Sequence, residues 1–166
     1  MTVTPAGSMS LSMQNLINTI AGSATFRSLV GAANATAAKD YIYLGWADDD
    51  DSDQLPHRAI VRHLSGDVAD DISTTSWRHM GPFRMLLEFP TPTDYATDRM
   101  QAYFYATNVL GQIVEEMQTL ATSNPGAGPY LAFKGIRLVS FGQFDPEQNN
   151  GRTDWSGEFE ITWEGM

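Results

Sequence analysis

The chain has 166 residues, no cysteine, and twenty acidic against ten basic residues, which gives a formal net charge of -10. This length predicts one domain with its own core, and the lack of cysteine excludes disulfides, thiol catalysis and zinc ribbons. The acidic balance argues against free binding to nucleic acid, because such a surface repels the phosphate backbone.

The N-terminal residues and the apolar stretches of the chain predict its location in the cell. The apolar stretches are far shorter than the roughly 20 residues that a membrane helix needs. The first ten residues, MTVTPAGSMS, have neither the basic start nor the apolar centre of a signal peptide. We therefore expect a soluble intracellular protein, a single domain over 1–166 with a flexible N-terminus at 1–8, an acidic loop at 47–57 and a polar loop at 145–154.

Two helical segments open the chain. Apolar residues recur every two to four positions between Leu11 and Ile20, as on one face of a helix. Gly22 and Ser23 predict a break, and the following ATFRSLVGA predicts a second, shorter helix. The stretches YIYLGW at 41–46 and RAIVRHL at 58–64 are rich in aromatic and β-branched residues, which predicts strands.

Residues 72–89 predict two successive antiparallel strands. In GPFRMLLEF, the apolar residues from Phe83 to Phe89 alternate with residues that include Arg84 and Glu88. This period of two is typical of a strand with one face in the core. We expect the turn between the two strands at Gly81 and Pro82.

The stretch PTPTD ends the strand and offers Thr93 or Asp94 as the N-cap of a long helix. A helix over 94–123 would be roughly 45 Å long at about 1.5 Å per residue. Three- and four-residue spacing predicts that its buried stripe consists of Met100, Tyr103, Thr107, Leu110, Val114, Met117 and Ala121.

The last part of the chain predicts two strands. Residues 130–144 are apolar on both alternating sets, so we expect cover on both faces. The long helix would cover one face of this strand, and either the N-terminal helices or a neighbouring subunit would cover the other face. In WSGEFEITWEGM, Phe159, Ile161 and Trp163 are expected to point inward. The whole pattern predicts an α+β fold, an antiparallel sheet flanked by a long central helix and N-terminal helices.

The acidic run is the first candidate for chemistry. It consists of Asp48, Asp49, Asp50, Asp51 and Asp53, with only Ser52 among them. A calcium loop needs a glycine at its sixth position and a glutamate at its twelfth. Counted from Asp49, these positions hold Gln54 and Ile60. The run therefore predicts a solvated loop rather than a metal site.

Other signatures of catalysis are missing from the sequence. His57, His63 and His79 lack the spacing of a metal-binding helix, and no Gly-x-Ser-x-Gly stretch occurs. The stretch GAGP has no lysine for a phosphate loop, and DPEQNNGRTD lacks the spacing of a calcium loop. We expect no catalytic residues, no cofactor and no bound metal, and hence not an enzyme.

The arginines are notable for their position. Arg58, Arg62, Arg78 and Arg84 fall in the central strands, while nine of the twenty acidic residues lie between Asp40 and Asp71. Such a separation predicts either complementary patches for self-assembly or ordinary surface arginines.

Three stretches give the chain a family resemblance. ATFRSLVGAANATAAKDYIYLGW reads as a helix running into a first strand, and FPTPTDYATDRMQAYFYATNVLGQIVEEM reads as a central helix. IRLVSFGQFDPEQNNGRTDWSGEFEITWE reads as paired strands with an Asp-Pro turn. Together they resemble the tail terminator, or tail completion, proteins and related minor tail proteins of long-tailed bacteriophages.

The resemblance implies a ring, typically a hexamer, that ends the tail tube and joins it to the head or neck. Its partners would be the tail tube protein and head-tail connector proteins, and DNA would pass through without specific binding. The protein would reside in the virion tail or neck, and in the host cytoplasm during assembly. The aromatic strand and the central arginines then give a candidate subunit interface of Phe141, Phe144, Trp155, Arg58, Arg62 and Arg84.

On the same reading, the acidic run Asp48, Asp49, Asp50, Asp51 and Asp53 would line the lumen or its rim. A negative channel would let DNA slide, where a basic one would hold it. Two alternatives stay open. One is another head-tail connector, neck or baseplate subunit, and the other is a small-ligand-binding α+β domain.

Overall fold

The computed structural model describes residues 8–45, 58–63, 69–73, 76–95, 97–123, 129–131, 133–143 and 154–165. The helices are α1 (Ser8–Gly22), α2 (Ala24–Leu29), α3 (Ala35–Ala38) and α4 (Arg99–Ser123). The strands are β1 (Ile42–Leu44), β2 (Arg58–His63), β3 (Ala69–Ser73), β4 (Ser76–Phe89), β5 (Phe133–Gln143) and β6 (Trp155–Gly165). The fold is α+β, as the sequence predicted.

The six strands form one sheet in the order β1-β2-β4-β6-β5, with β3 also paired to β4. All neighbouring strands run antiparallel except β1, which runs parallel to β2. The sheet is therefore mixed, where the sequence predicted an antiparallel one. Parallel neighbours need a crossover of a dozen or more residues, and the stretch 45–57 between β1 and β2 has that length.

The predicted turn at Gly81 and Pro82 is wrong, because β4 runs without interruption through both residues. The described part of β2 pairs with β4 from Phe83 onward, whereas β3 pairs with it up to Met80. Gly81 and Pro82 thus lie between two partner strands on that side of β4. A proline, which has no N–H to donate, is tolerated at such a position. The chain reverses instead between β3 and β4.

The long helix ends at Ser123 as predicted but begins at Arg99, later than predicted. Its cap is Asp98, whose Oδ1 accepts hydrogen bonds from the backbone N–H groups of Met100 (3.0 Å) and Gln101 (3.1 Å). The predicted caps Thr93 and Asp94 lie in a preceding 3-10 turn, Thr93–Tyr95. An aspartate cap satisfies N–H groups of the first turn that have no partner within the helix.

The buried stripe of α4 confirms the predicted Leu110, Met117 and Ala121 but differs from the prediction in the first turns of the helix. It consists of Ala102, Ala106, Val109, Leu110, Ile113, Met117 and Ala121. The predicted members Met100 and Tyr103 are 61% and 49% exposed. Small alanines at 102 and 106 occupy the contact side of the helix, so the bulky aromatic residues between them face outward.

A single hydrophobic cluster joins the helices to one face of the sheet. Leu16 and Phe26 from the N-terminal helices and Ile113 from α4 pack with inward residues of β4 and β6 such as Met85 and Ile161. The predicted alternation in the last strand is confirmed for its described side chains, because Phe159 and Ile161 are buried while Glu158 and Glu160 are partly exposed. The opposite face of the sheet carries charged side chains such as Arg84 and Glu158 together with the apolar pair Ile60 and Leu86.

The strand β5 is an edge of the sheet, and among the described strands it pairs only with β6. Leu138 and Val139 are 52% and 40% exposed. Leu138 is in register with inward Phe159, so it lies on the same face as the helices, and the helices leave it and Val139 partly uncovered. The outward residues of β5 with a partner in β6 are glycine, arginine and serine, so the expected apolar second face is not seen there. Cover by a neighbouring subunit stays a prediction. The predicted flexible N-terminus up to residue 7, the whole acidic loop 47–57, Phe144 and residues 145–153 lie outside the described residues.

Candidate functional site

Three aromatic rings meet where the beginning of α4 crosses β5 and β6. Phe141 and Trp155 stack with ring centroids 5.2 Å apart and an interplanar angle of 13°. Tyr103 meets both rings edge-on, at 5.4 Å from Phe141 and 6.0 Å from Trp155. The indole N–H of Trp155 donates to Thr91 Oγ1 at 2.8 Å. The edge-on contacts are the favoured arrangement of aromatic pairs, so the cluster is well ordered by its own packing.

The outer surface of this cluster is apolar. Met100, Tyr103 and Phe104, which we call the aromatic patch, are 61%, 49% and 51% exposed on neighbouring turns of α4. Tyr103 links the patch to the rings of β5 and β6 beneath it. A group of large apolar side chains on the surface is typical of a site of protein contact.

The predicted interface aromatics lie mostly beneath this patch. Trp155 is only 6% exposed and Phe141 is half-buried, and both pack within the same chain. Phe144 lies outside the described residues. The surface above them is formed by Tyr103 and Phe104, which the sequence analysis did not include. The missed signal is the pair of alanines at 102 and 106, which mark the true buried side of α4.

The sheet face opposite the helices carries a row of ion pairs that crosses four strands. Arg58 Nε lies 2.6 Å from Glu88 Oε2 between β2 and β4. Arg84 and Glu158 are 2.8 Å apart between β4 and β6, and Arg137 and Glu160 are 3.1 Å apart between β6 and β5. Ser140 also donates to Glu158 at 3.3 Å. We call this row the charged face.

Two of the three predicted interface arginines, Arg58 and Arg84, belong to this face and differ in accessibility. The Arg58 side chain is 3% exposed, and its partner Glu88 is 5% exposed. The Arg84 side chain is 28% exposed, and its Nε is buried without a hydrogen-bond partner in the described part of the protein. Arg62 is opposite Arg84 in the register of β2 and β4. Arg58 therefore has a contact within its own chain, and Arg84 is the more accessible of the two.

Two adjoining surface depressions run along α4 on the side of α2. The larger, of about 470 Å³, is lined by Ala24, Thr25, Ser28, Leu29, Tyr105, Val109 and Gln112. The smaller, of about 270 Å³, shares Tyr105, Val109 and Gln112 with it. Burial raises the pKa of the Tyr105 hydroxyl, and neighbouring Tyr95 raises it further. The hydroxyl therefore stays protonated and can both donate and accept a hydrogen bond there.

Next to the larger depression, Glu116 of α4 caps the beginning of α2. Its carboxylate accepts hydrogen bonds from Ser23 Oγ (2.7 Å), Thr25 Oγ1 (2.7 Å) and the Thr25 backbone N–H (3.0 Å). Burial by itself raises the pKa of Glu116, but these hydrogen bonds outweigh it and the net pKa is below the ordinary value. Both carboxylate oxygens accept from groups at the start of α2, which indicates that Glu116 fixes α2 against α4.

No group of three or more histidine, aspartate or glutamate side chains in the described residues is placed to hold a metal ion. The acidic residues Asp48, Asp49, Asp50, Asp51 and Asp53 lie outside the described residues, so their predicted place at a lumen or rim stays a prediction. No described helix is both long enough and apolar enough to span a bilayer. No protein-family model matches the chain, and a search of curated proteins found no significant similarity.

Proposed function

We propose that this protein is a structural subunit of a bacteriophage tail or neck, which forms a ring that terminates the tail tube and joins it to the head. The order of N-terminal helices, sheet, long helix and two closing strands agrees with what the resemblance to tail terminator proteins implies. Exposed apolar side chains on the surface of α4 support a role in contacting other proteins. The proposed partners are the tail tube protein and head-tail connector proteins.

The observation that carries this proposal is the aromatic patch. Met100, Tyr103 and Phe104 are all about half exposed or more, next to one another on a single helix. Water contact with three such side chains is unfavourable by about 25 cal/mol for each Å² of apolar surface. A ring needs a head-to-tail interface between different surfaces of neighbouring copies. The patch would supply one side, and the accessible part of the charged face near Arg84 would contribute to the other.

The test is the assembly state of the purified chain, measured by size exclusion with light scattering and by negative-stain imaging. We expect rings of about six subunits, the number that the resemblance implies, because a head-to-tail contact whose rotation closes gives a ring. Phe104→Glu should break the ring, because it puts a charge in the centre of the patch. Leu44→Glu is the matched control, since Leu44 is similarly exposed, at 57% against 51%, on the far edge of the sheet.

A second experiment addresses the acidic run. Replacing Asp48 to Asp51 by asparagine removes four charges from a chain of net charge -10. If these residues line the lumen, the variant ring should repel double-stranded DNA less and retain more of it at low salt than the native ring does. An unchanged assembly state and unchanged DNA passage would count against the lumen or rim location without affecting the ring itself.

The depressions along α4 favour one alternative, a small-ligand-binding domain. A volume of about 470 Å³ is within the range of small-molecule sites, and Thr25, Tyr105 and Gln112 offer polar contacts. A chain that stays monomeric at high concentration and gains thermal stability with a small molecule would support that alternative over the ring. Another connector, neck or baseplate subunit would also form an oligomer, and would differ in the tail protein that it binds.

A further inference from the structure

The outer edge of β5 has an unusual symmetry in its pattern of side chains. Along β5, the register with β6 places Ile136, Leu138 and Phe141 opposite inward residues of β6. It places Gly135, Arg137, Ser140 and Gly142 opposite outward residues. Val139 has no partner in β6, because the register shifts between Leu138 and Ser140. This bulge reverses the alternation halfway along the strand.

The reversal makes the strand read the same from both ends. Outside the central pair Leu138 and Val139, each direction gives an outward residue, then an inward one, then an outward glycine. These are Arg137, Ile136 and Gly135 in one direction, and Ser140, Phe141 and Gly142 in the other. Directly opposed residues of an antiparallel pair must point to the same face. Without the bulge, Arg137 and Ser140 would lie on opposite faces.

We infer that β5 is a pairing site for a second copy of this chain, whose own β5 adds antiparallel to this edge about a two-fold axis between Leu138 and Val139. Each inward Ile136 then opposes Phe141 of the other copy and extends the core face. Leu138 and Val139, now 52% and 40% exposed, cover one another at the centre. The two sheets become one continuous sheet.

The charges on the outward face agree with this register. Arg137 opposes Ser140 of the second copy, and Ser140 already contacts Glu158 on the next strand. Each Arg137 therefore lies between Glu160 of its own chain and Glu158 of the other, and no charged side chain opposes one of the same sign among residues 135–142. The outward glycines face each other, and a Cβ added at either Gly135 or Gly142 would meet no atom within 4 Å.

A bulge or a basic side chain on an edge strand commonly hinders pairing. Here the bulge lies at the centre of symmetry, so both copies carry it at the same place. The contact is small, below the roughly 1,200 Å² of a standard interface, and we expect a weak and reversible pair. A two-fold contact cannot close a ring. The pairing is therefore distinct from the proposed ring contact and holds whether or not the ring exists.

The test uses single cysteines, since the chain has none of its own. Arg137→Cys and Ser140→Cys are purified separately, mixed at high concentration and oxidised. Opposed residues lie about 4.5–5.5 Å apart, within the span of a disulfide, so the mixture should give a covalent dimer of twice 18.3 kDa. Arg137→Cys mixed with Gly142→Cys is the control, two positions out of register at about 7–8 Å, and should give little.

A second pair of variants separates the contact from random collision. Adding Leu138→Lys to both cysteine chains should abolish the cross-link, because two ammonium groups then meet at the centre. Adding Leu44→Lys, at an equally exposed leucine on the other sheet edge, should leave it unchanged. Circular dichroism and melting temperature would show that both variants fold.

Three results would overturn the inference: no cross-link in the first mixture, equal cross-linking in and out of register, or a cross-link that survives Leu138→Lys. The ring experiment has a different readout, since Phe104→Glu leaves the β5 edge intact. A ring without the β5 cross-link would refute only the pairing. A cross-linked dimer without a ring would refute only the proposed function.

Discussion

The buried ion pair between Arg58 and Glu88 is the most sharply testable feature of the charged face. Both side chains are almost fully excluded from solvent, at 3% and 5% exposure, with the two atoms 2.6 Å apart. Arg58→Met keeps much of the volume of the side chain but leaves the Glu88 carboxylate buried without its counter-charge. Leaving one member of a buried pair alone costs about 3–5 kcal/mol.

This loss of stability should be large enough to measure by thermal or by urea unfolding. For a chain of this size, each kcal/mol lowers the melting temperature by about 2–4 °C, so we expect a fall of roughly 6–20 °C. Glu88→Leu should have a similar effect, because it removes the carboxylate that faces the buried Arg58 guanidinium. The double variant Arg58→Met with Glu88→Leu should recover most of the loss, because apolar replacement of both partners removes the desolvation cost of both charges.

The assay is urea unfolding followed by circular dichroism, with melting temperature as a second readout. The exposed pair provides the control, because Arg137 is 72% exposed in its contact with Glu160. Arg137→Met should therefore change the free energy of unfolding by less than about 1 kcal/mol. Single changes at Arg58 and Glu88 that are equally mild, or a double variant as unstable as the sum of the two, would refute the reasoning. A stable Arg58→Met chain that no longer assembles would instead support the predicted interface role of Arg58.

Three further predictions concern the helices. Asp98→Ala should lower the free energy of unfolding, measured in urea, by about 0.5–2 kcal/mol, because it removes the cap of α4. Asp94→Ala, the control, should have almost no effect. Equal effects would contradict the observed start of the helix. Glu116 has a lowered pKa in the folded state, so its stabilising contribution is complete above the ordinary glutamate pKa of 4.5 and is lost as the pH falls through the lower folded value. Glu116→Gln should therefore lower the free energy of unfolding at neutral pH and weaken its dependence on pH in the acidic range. An unchanged pH dependence would show that the Glu116 cap does not contribute to stability. Gly157→Ala would bring a Cβ within 2.6 Å of a methyl group of buried Leu110, so it should lower the free energy of unfolding by about 1–3 kcal/mol. Gly142→Ala, whose Cβ would meet no atom within 4 Å, should lower it far less. Similar losses for both variants would indicate an effect on the backbone instead.

The sequence alone determined the fold class and the regular elements with strong periodicity. The alternation from Phe83 to Phe89 and from Phe159 to Ile161 fixed which side of β4 and β6 is buried, because a period of two can bury only one face. The end of α4 at Ser123 followed from the proline and glycines after it. These features are local, so the chain needs no distant partner to specify them.

The tertiary structure decided what depends on distant neighbours. The sequence predicts a turn at Gly81 and Pro82, but pairing with the neighbouring strand β6 keeps both residues in one continuous strand. The aromatic residues of α4 read as core, but the alanines beside them allow the closer approach to the sheet and leave Tyr103 and Phe104 outside. Arg58 reads as a surface arginine, and only its buried pairing with Glu88 across two strands gives it a structural role. Strand pairing and helix approach join residues far apart in the chain, and no local pattern contains that information.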